Sequence, residues 1–357
     1  MIRTRLDAVC SAMAGQKLDG LIVSDPQSIW YLTGFYTEPY ERLFVLYLST
    51  DGRHKFFLNR LFADPGSAVE KIWINDADDG IRIVADNTVR TGRVGIDKNW
   101  PARFLLPLME YNAGVTYVPG SACIDTVRAR KDAEEQQLMK AASRINDTCM
   151  KRAAEFVQSG ITEKQVAEYI AAQFKKEGAD GPSFATIVSF GKNAADPHHE
   201  PDETIVKPGD CVLIDMGCRK DRYCSDMTRT FYFKTVPEDA LRLYEIVRKA
   251  NETAEAFVKP GVRLCDIDAA ARSVITEAGY GPYFTHRLGH FIGQTDHEAG
   301  DVSSANTGKA ETGMLFSIEP GIYLPGKTGV RIEDLVLVTG SGCEILNKVD
   351  KHVKIIG

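Results

Sequence analysis

Residues 213–231 read LIDMGCRKDRYCSDMTRTF, two short apolar runs that each carry an acid, Asp215 in the first and Asp226 in the second. A carboxylate inside a strand that should be buried is costly unless something compensates its charge. The polar stretch Arg219–Arg222 between the runs predicts an antiparallel hairpin. With the turn centred between Lys220 and Asp221, Asp215 and Asp226 stand directly opposite one another on one face, Cβ atoms ~5 Å apart. Like charges so placed repel, so a positive centre is expected between them.

The pattern recurs at residues 316–335, FSIEPGIYLPGKTGVRIEDL. A turn centred on Gly326 sets Glu319 opposite Glu333. Any one of these acids taken alone reads as a surface residue of an edge strand. Two pairs, each in an apolar context and each symmetric about a turn, call for a bound cation. Imidazoles are at hand: HRLGHFIGQTDHEAG (286–300) carries His286, His290 and His297, and GKNAADPHHEPD (191–202) carries His198 and His199. These are five of the seven histidines in the chain; His54 and His352 have no such company and read as structural.

The rest of the chain bounds the setting. Its 357 residues, 44% apolar and 26% charged, suffice for two globular domains. A net charge of -6 argues against nucleic acid or an anionic membrane as partner. No apolar run is long enough for a signal peptide or a membrane span, so a cytoplasmic address is expected. Eight cysteines include no Cys-x-x-Cys pair, and Cys211, Cys218 and Cys224 fit no zinc spacing; reduced, buried thiols are expected. Short strands and helices up to about residue 124 (LDGLIVSD, RLFVLYLST, RVGID, FLLPLMEYN) read as a small α/β domain. From about 125 the texture becomes helical, with Asp132 and Glu135 as a capping box. Amphipathic helices are expected in TEKQVAEYIAAQFKKEG, EDALRLYEIVRKANETAEAFV and LCDIDAAARSVITEAGYG. Strands are expected in SFATIVSFG, CVLIDMG, DMTRTFYF, MLFSIEPGIY and VRIEDLVLV. Strands and helices are grouped rather than strictly alternating, which predicts an α+β fold, with domains 1–124 and 125–357.

The ordered set Asp215, Asp226, His290, Glu319, Glu333 resembles the ligand pattern of the pita-bread metallopeptidases, the family of aminopeptidase P, prolidase and methionine aminopeptidase. IDMG, SDMTRTF, SIEPGIY, VRIED and the Gly191–His198 segment read as its motifs, and YLTGF (31–35) followed by Glu41-Arg42 resembles the smaller N-terminal domain of the creatinase–prolidase branch. The resemblance spans the chain. It implies a pita-bread catalytic domain holding two divalent metal ions, Mn²⁺ in first place with Co²⁺ or Zn²⁺ as alternatives. Asp226 and Glu333 would serve both ions, Asp215 one, His290 and Glu319 the other. Glu319 would also shuttle the proton, with His297 and His198 contacting the scissile carbonyl. Arg331, two residues before Glu333 and so on its face, would support the carboxylates. His286 would line the pocket for a proline ring, and Arg42 or His199 would meet the substrate carboxylate. The implied enzyme is a Xaa–Pro dipeptidase, a prolidase acting as a homodimer on proline-containing peptides. The alternatives are an Xaa–Pro aminopeptidase, aminopeptidase P, and a non-catalytic binding module on the same fold. Two departures stand out: Phe291 follows the ligand histidine where the family usually has glycine, and Arg287 and Gln294-Thr295-Asp296 differ from the commonest pattern. All are expected to reshape the pocket.

Overall fold

In the computed structural model, which describes residues 1–66 and 68–357, the chain divides into two units, Met1–Arg128 and Ala129–Gly357. The first is built on six strands: β1 (Gly20–Val23), β2 (Val45–Ser49), β3 (Lys55–Asn59), β4 (Glu70–Ile74), β5 (Gly92–Ile96) and β6 (Val115–Pro119). Their order is β4-β3-β2-β1-β5-β6, antiparallel at β1/β2 and β2/β3 and parallel elsewhere. Every residue of β1 and β2 is buried, as a sheet covered on both faces requires. One face packs against helices Arg3–Gly15 and Pro26–Thr33, the other against Gly80–Asp86 and Ala102–Tyr111. Asp25 caps the helix Pro26–Thr33 by accepting the Gln27 and Ser28 N–H groups, and Gly34 at φ 75° ends it. The YLTGF stretch is thus a helix with its left-handed stop.

The second unit carries the long helices Ala133–Phe156, Glu163–Lys176, Glu238–Phe257 and Leu264–Glu277. The Asp132–Glu135 capping box forms with both bonds in place. Two antiparallel ladders dominate. One orders Ile187–Phe190, Cys211–Met216 and Met227–Phe233, with Ile355–Ile356 added in parallel at its edge; the other orders Glu298–Val302, Gly289–Phe291, Leu315–Ile318, Asp334–Val338 and Cys343–Ile345. Helices and strands are grouped in this unit, an α+β arrangement. MLFSIEPGIY and VRIEDLVLV, each expected as one strand, are each split in two: Leu315–Ile318 from Gly321–Leu324, and Thr328–Arg331 from Asp334–Val338. The two breaks hold Glu319 and Glu333.

Candidate active site

The first hairpin forms in a different register from the one the sequence suggests. Its tight turn is the pair Asp221-Arg222, with Lys220 opposite Tyr223. Asp215 therefore faces Thr228, not Asp226. Both turn residues have positive φ, 47° and 70°, the two-residue geometry that suits strand twist and that sequence usually signals with glycine. The slip is an even number of residues, so the acids keep the same face, and both line one cavity. In the second region the register around Gly326 (φ 71°) runs unbroken: Gly321 faces Arg331 and Ile318 faces Asp334. Glu319 and Glu333 occupy the gap between these paired segments.

Interrupting a strand strands its carbonyls, and buried asparagines take them up. Asn146 Nδ2 donates to Met216 O at 2.8 Å. Asn251 Nδ2 reaches both Ile318 O (2.9 Å) and Ile332 O (3.3 Å), the carbonyls just before the two glutamates. Asn347 Nδ2 donates to Asp226 O at 3.0 Å. Asn146 and Asn251 are 0% exposed on the inner faces of two long helices. The sequence reading missed all three; for Asn146 and Asn251 the available signal was an asparagine at an apolar position of an amphipathic helix. Asn251→Leu removes two donors at once. We expect a stability loss of about 2–4 kcal/mol and metal affinity weakened about 10–100-fold, both read by calorimetry; unchanged affinity would confine Asn251 to stability.

One ligand atom from each of Asp226, His290 and Glu333 lies within 4.8 Å of the others. His290 Nε2 is 3.6 Å from Asp226 Oδ2 and 3.5 Å from Glu319 Oε1. Its Nδ1–H is directed at Phe291 O, 3.2 Å away, which leaves Nε2 with a lone pair toward the acids. Burial, helped by His297, lowers its pKa to about 3, so the ring is neutral, as a ligand must be. Burial first, then repulsion from Glu333, Asp215 and Glu319, pushes the Asp226 carboxyl far up; Glu333 is raised by burial and by Glu319 and Asp215. Glu319 rises to about 7, mainly by burial. Asp215 Oδ1 and Asp226 Oδ1 are buried without a hydrogen-bond partner. Orphaned carboxylate oxygens, mutual repulsion and a neutral imidazole are what a divalent cation site requires, so these residues fit the group. A consequence is testable without metal. Glu319 is raised above its ordinary 4.5, so the folded chain holds a proton that the unfolded chain releases between about pH 4.5 and 7. Stability of the chelated protein should fall as pH rises through that window, by up to about 3 kcal/mol from this group. Glu319→Gln should flatten the slope in urea titrations; an equal slope in the variant would contradict it.

Among the described residues Arg331 is the one cation buried among the acids. Nη2 donates to Asp215 Oδ2 (2.7 Å), Nη1 to Tyr323 OH (2.9 Å) and Nε to Thr228 Oγ1 (3.0 Å). Thr228 Oγ1 in turn donates to Glu333 Oε2 at 2.7 Å. Tyr323 OH lies 2.9 Å from His286 Nε2, and His286 Nδ1–H donates to Arg287 O at 2.7 Å. Burial lowers His286 to about 4, which keeps it neutral. His198, His286 and His297 line the same cavity of about 420 Å³ with the acids, and the His297 ring packs 3.9 Å from His290, centroid to centroid.

His199 also borders the cavity, but its Nε2 is bonded to Glu163 Oε2 at 2.7 Å. Glu163 is 0% exposed and also accepts the N–H groups of Phe190 and Asp202 and the Asn193 amide. Glu163, His199 and Asp202 cluster closely enough to suggest a second cation, yet the Glu163 oxygens are taken up by these donors. The carboxylate is a latch for the 190–202 segment that carries His198. At the first position of a helix Glu163 looks like a solvent-facing acid, which hid this role. Arg42 lies in the N-terminal unit, its guanidinium held by Asp76 at 3.0 and 3.1 Å and by Glu41 at 2.9 Å. Phe291 does not face the cavity: it is buried against Phe316 with centroids 5.5 Å apart, over Gly300, where a Cβ would meet its ring at 2.6 Å. The expected reshaping of the pocket therefore does not come from Phe291, whereas Arg287 and Asp296 do line it. Cys211, Cys218 and Cys224 are buried free thiols, and burial pushes Cys218 up to about 11, away from thiolate ligation.

Residues 137–340 match the model of metallopeptidase family M24, and residues 5–130 that of the creatinase/prolidase N-terminal domain. An uncharacterized peptidase of Staphylococcus saprophyticus is 36% identical over 355 residues, 97% of this chain and 100% of its own length. A dipeptidase from Pyrococcus horikoshii superposes with a TM-score of 0.93 at 34% identity, covering 99% of this chain and 100% of its own. A prolidase from Thermococcus sibiricus superposes with a TM-score of 0.93 at 34% identity, covering 100% and 99%.

Proposed function

The chain belongs to metallopeptidase family M24, pita-bread fold and creatinase-type N-terminal domain included, and from that premise we propose that it is a Xaa–Pro dipeptidase. The observation that carries the reading is the convergence of Asp215, Asp226, Glu319 and Glu333, a neutral His290 and four further histidines on one cavity with an apolar wall of Phe184, Ile187, Pro197 and Pro201. That wall suits a proline ring. The Xaa–Pro bond is a tertiary amide without N–H, so an enzyme that grips an extended backbone through that N–H cannot hold it, whereas a cavity that recognises the ring can. The names of the P. horikoshii dipeptidase and the T. sibiricus prolidase agree with this reading.

Asp226 and Glu333 would hold both of two divalent cations, Asp215 one, and His290 with Glu319 the other; this oxygen-rich set suits Mn²⁺, with Co²⁺ and Zn²⁺ as alternatives. Bound there, the cations would supply Lewis acidity and bring the pKa of a water toward neutrality. Glu319 takes the proton of the attacking water and delivers it to the proline nitrogen, which must leave as a secondary amine. His198 and His297 donate to the carbonyl oxygen as it gains charge, a contribution of about 10²–10³ in rate. Arg331 orients Asp215 through Nη2 while Thr228 fixes one oxygen of Glu333.

We place the enzyme in the cytoplasm as a homodimer, with dimerisation checked by light scattering at assay concentration. Among the described residues no helix is long and apolar enough to cross a membrane. The deciding assay offers the Mn²⁺-loaded protein Ala–Pro and Ala–Pro–Ala side by side. The dipeptide should be cut at least ~100-fold faster in kcat/KM. Comparable rates would move the assignment to an Xaa–Pro aminopeptidase, and cleavage of neither would contradict it.

A further inference from the structure

We propose that Arg287 is the group that reads the free carboxylate at the end of the substrate, a role that rests on the dipeptidase reading above. A dipeptidase must sense that the chain stops at proline, and the terminal carboxylate is the feature that distinguishes the stop. The cavity wall contains two cationic side chains of the arginine or lysine type, Arg331 and Arg287. Arg331 is committed to Asp215, Tyr323 and Thr228. The candidates suggested by the sequence are engaged too: His199 with Glu163 at 2.7 Å, and Arg42 with both oxygens of Asp76. Arg287 has no ion pair among the described residues, and its side-chain bond is Nη2 to His297 Nδ1 at 3.3 Å.

The backbone around it is pinned while the guanidinium remains available. Arg287 O accepts the His286 Nδ1–H at 2.7 Å, His286 O accepts Arg272 Nη2 at 2.9 Å, and Leu288 N–H donates to Asp268 Oδ1 at 3.1 Å. A fixed base and a planar fork of donors suit two-point capture of a carboxylate. Asp296 and Glu200 border the same cavity, so a carboxylate placed there without a cation would meet like charge. Arg287 also sits beside His297, which puts the carboxylate subsite next to the histidine assigned to the scissile carbonyl, the short separation a two-residue substrate demands.

The test is the ratio of kcat/KM for Ala–Pro over Ala–Pro-amide, measured on Mn²⁺-loaded wild type, Arg287→Met and Arg287→Lys. A ratio within one variant cancels any general loss of folding or metal. Wild type is expected to prefer the free acid by at least about 100-fold; Arg287→Met should bring the ratio below about 5, mainly through KM, and Arg287→Lys, which keeps the charge and loses the fork, should fall between. If Arg287 only holds His297, Arg287→Met loses rate on both substrates and the ratio persists, which overturns the proposal and leaves the dipeptidase reading standing. A wild type that cuts acid and amide equally overturns both the proposal and the dipeptidase assignment. A wild type that cuts neither overturns the Xaa–Pro reading itself and the proposal with it.

Discussion

Asp226→Asn and Glu333→Gln are expected to lower kcat/KM on Ala–Pro by at least about 10³-fold, roughly 4 kcal/mol of barrier, and at the same time to make the chelated protein more stable. The two effects have one cause. Each carboxyl is pushed far above its ordinary range by burial and by the other acids. Replacing one with its isosteric amide removes a like charge at nearly constant volume, which relieves the metal-free fold. It also removes a ligand proposed to serve both cations, so Mn²⁺ stoichiometry should drop from two per chain toward one or none. Asp215→Asn should differ in sign. Asp215 is bonded to Arg331 at 2.7 Å, and its loss leaves a buried guanidinium short of its partner, so that variant should be destabilised with or without metal. Urea denaturation of the three chelated variants checks the pattern; uniform destabilisation would contradict the electrostatic account.

Arg331→Leu carries the second large effect. The guanidinium is 3% exposed and offsets part of the charge of four acids while fixing Asp215, Tyr323 and, through Thr228, Glu333. Removing it should cost the folded protein about 3–5 kcal/mol, the range for breaking a buried ion pair from one side. The cost should shrink when Mn²⁺ is present, because the cations take over the compensation. Denaturation with and without Mn²⁺ reads both numbers. A loss under about 1 kcal/mol in the chelated protein would show that Arg331 is not the balancing charge.

The gathering of the four acids was legible in the sequence because it concerns charge: carboxylates on buried strands call for compensation, and that holds whatever the register. Geometry was legible only where one residue dictates it. Gly326 takes a positive φ that disfavours other residues, so the centre of the second turn, and with it the facing of Glu319 and Glu333, could be located. The first turn has no such marker. Asp221 and Arg222 adopt positive φ without glycine, and the register came out two residues away, which changed the partner of Asp215 but not its face. The strand breaks at Glu319 and Glu333 were hidden because both segments remain apolar through them, and the asparagines that serve those breaks were hidden in turn. Arg42 and His199 were carboxylate candidates by charge type, and the structure adds what charge type could not show, that Asp76 and Glu163 hold them. Phe291, conspicuous beside a ligand histidine, packs into the core because strand alternation turns it away from His290.

The central claim is that this site hydrolyses Xaa–Pro with divalent cations held by Asp215, Asp226, His290, Glu319 and Glu333. Its most direct test titrates chelated protein with Mn²⁺ in a calorimeter and assays Ala–Pro hydrolysis on the same samples. The account predicts two Mn²⁺ per chain, with activity absent before titration and rising with occupancy; full Ala–Pro hydrolysis by protein shown by elemental analysis to be free of metal would contradict it.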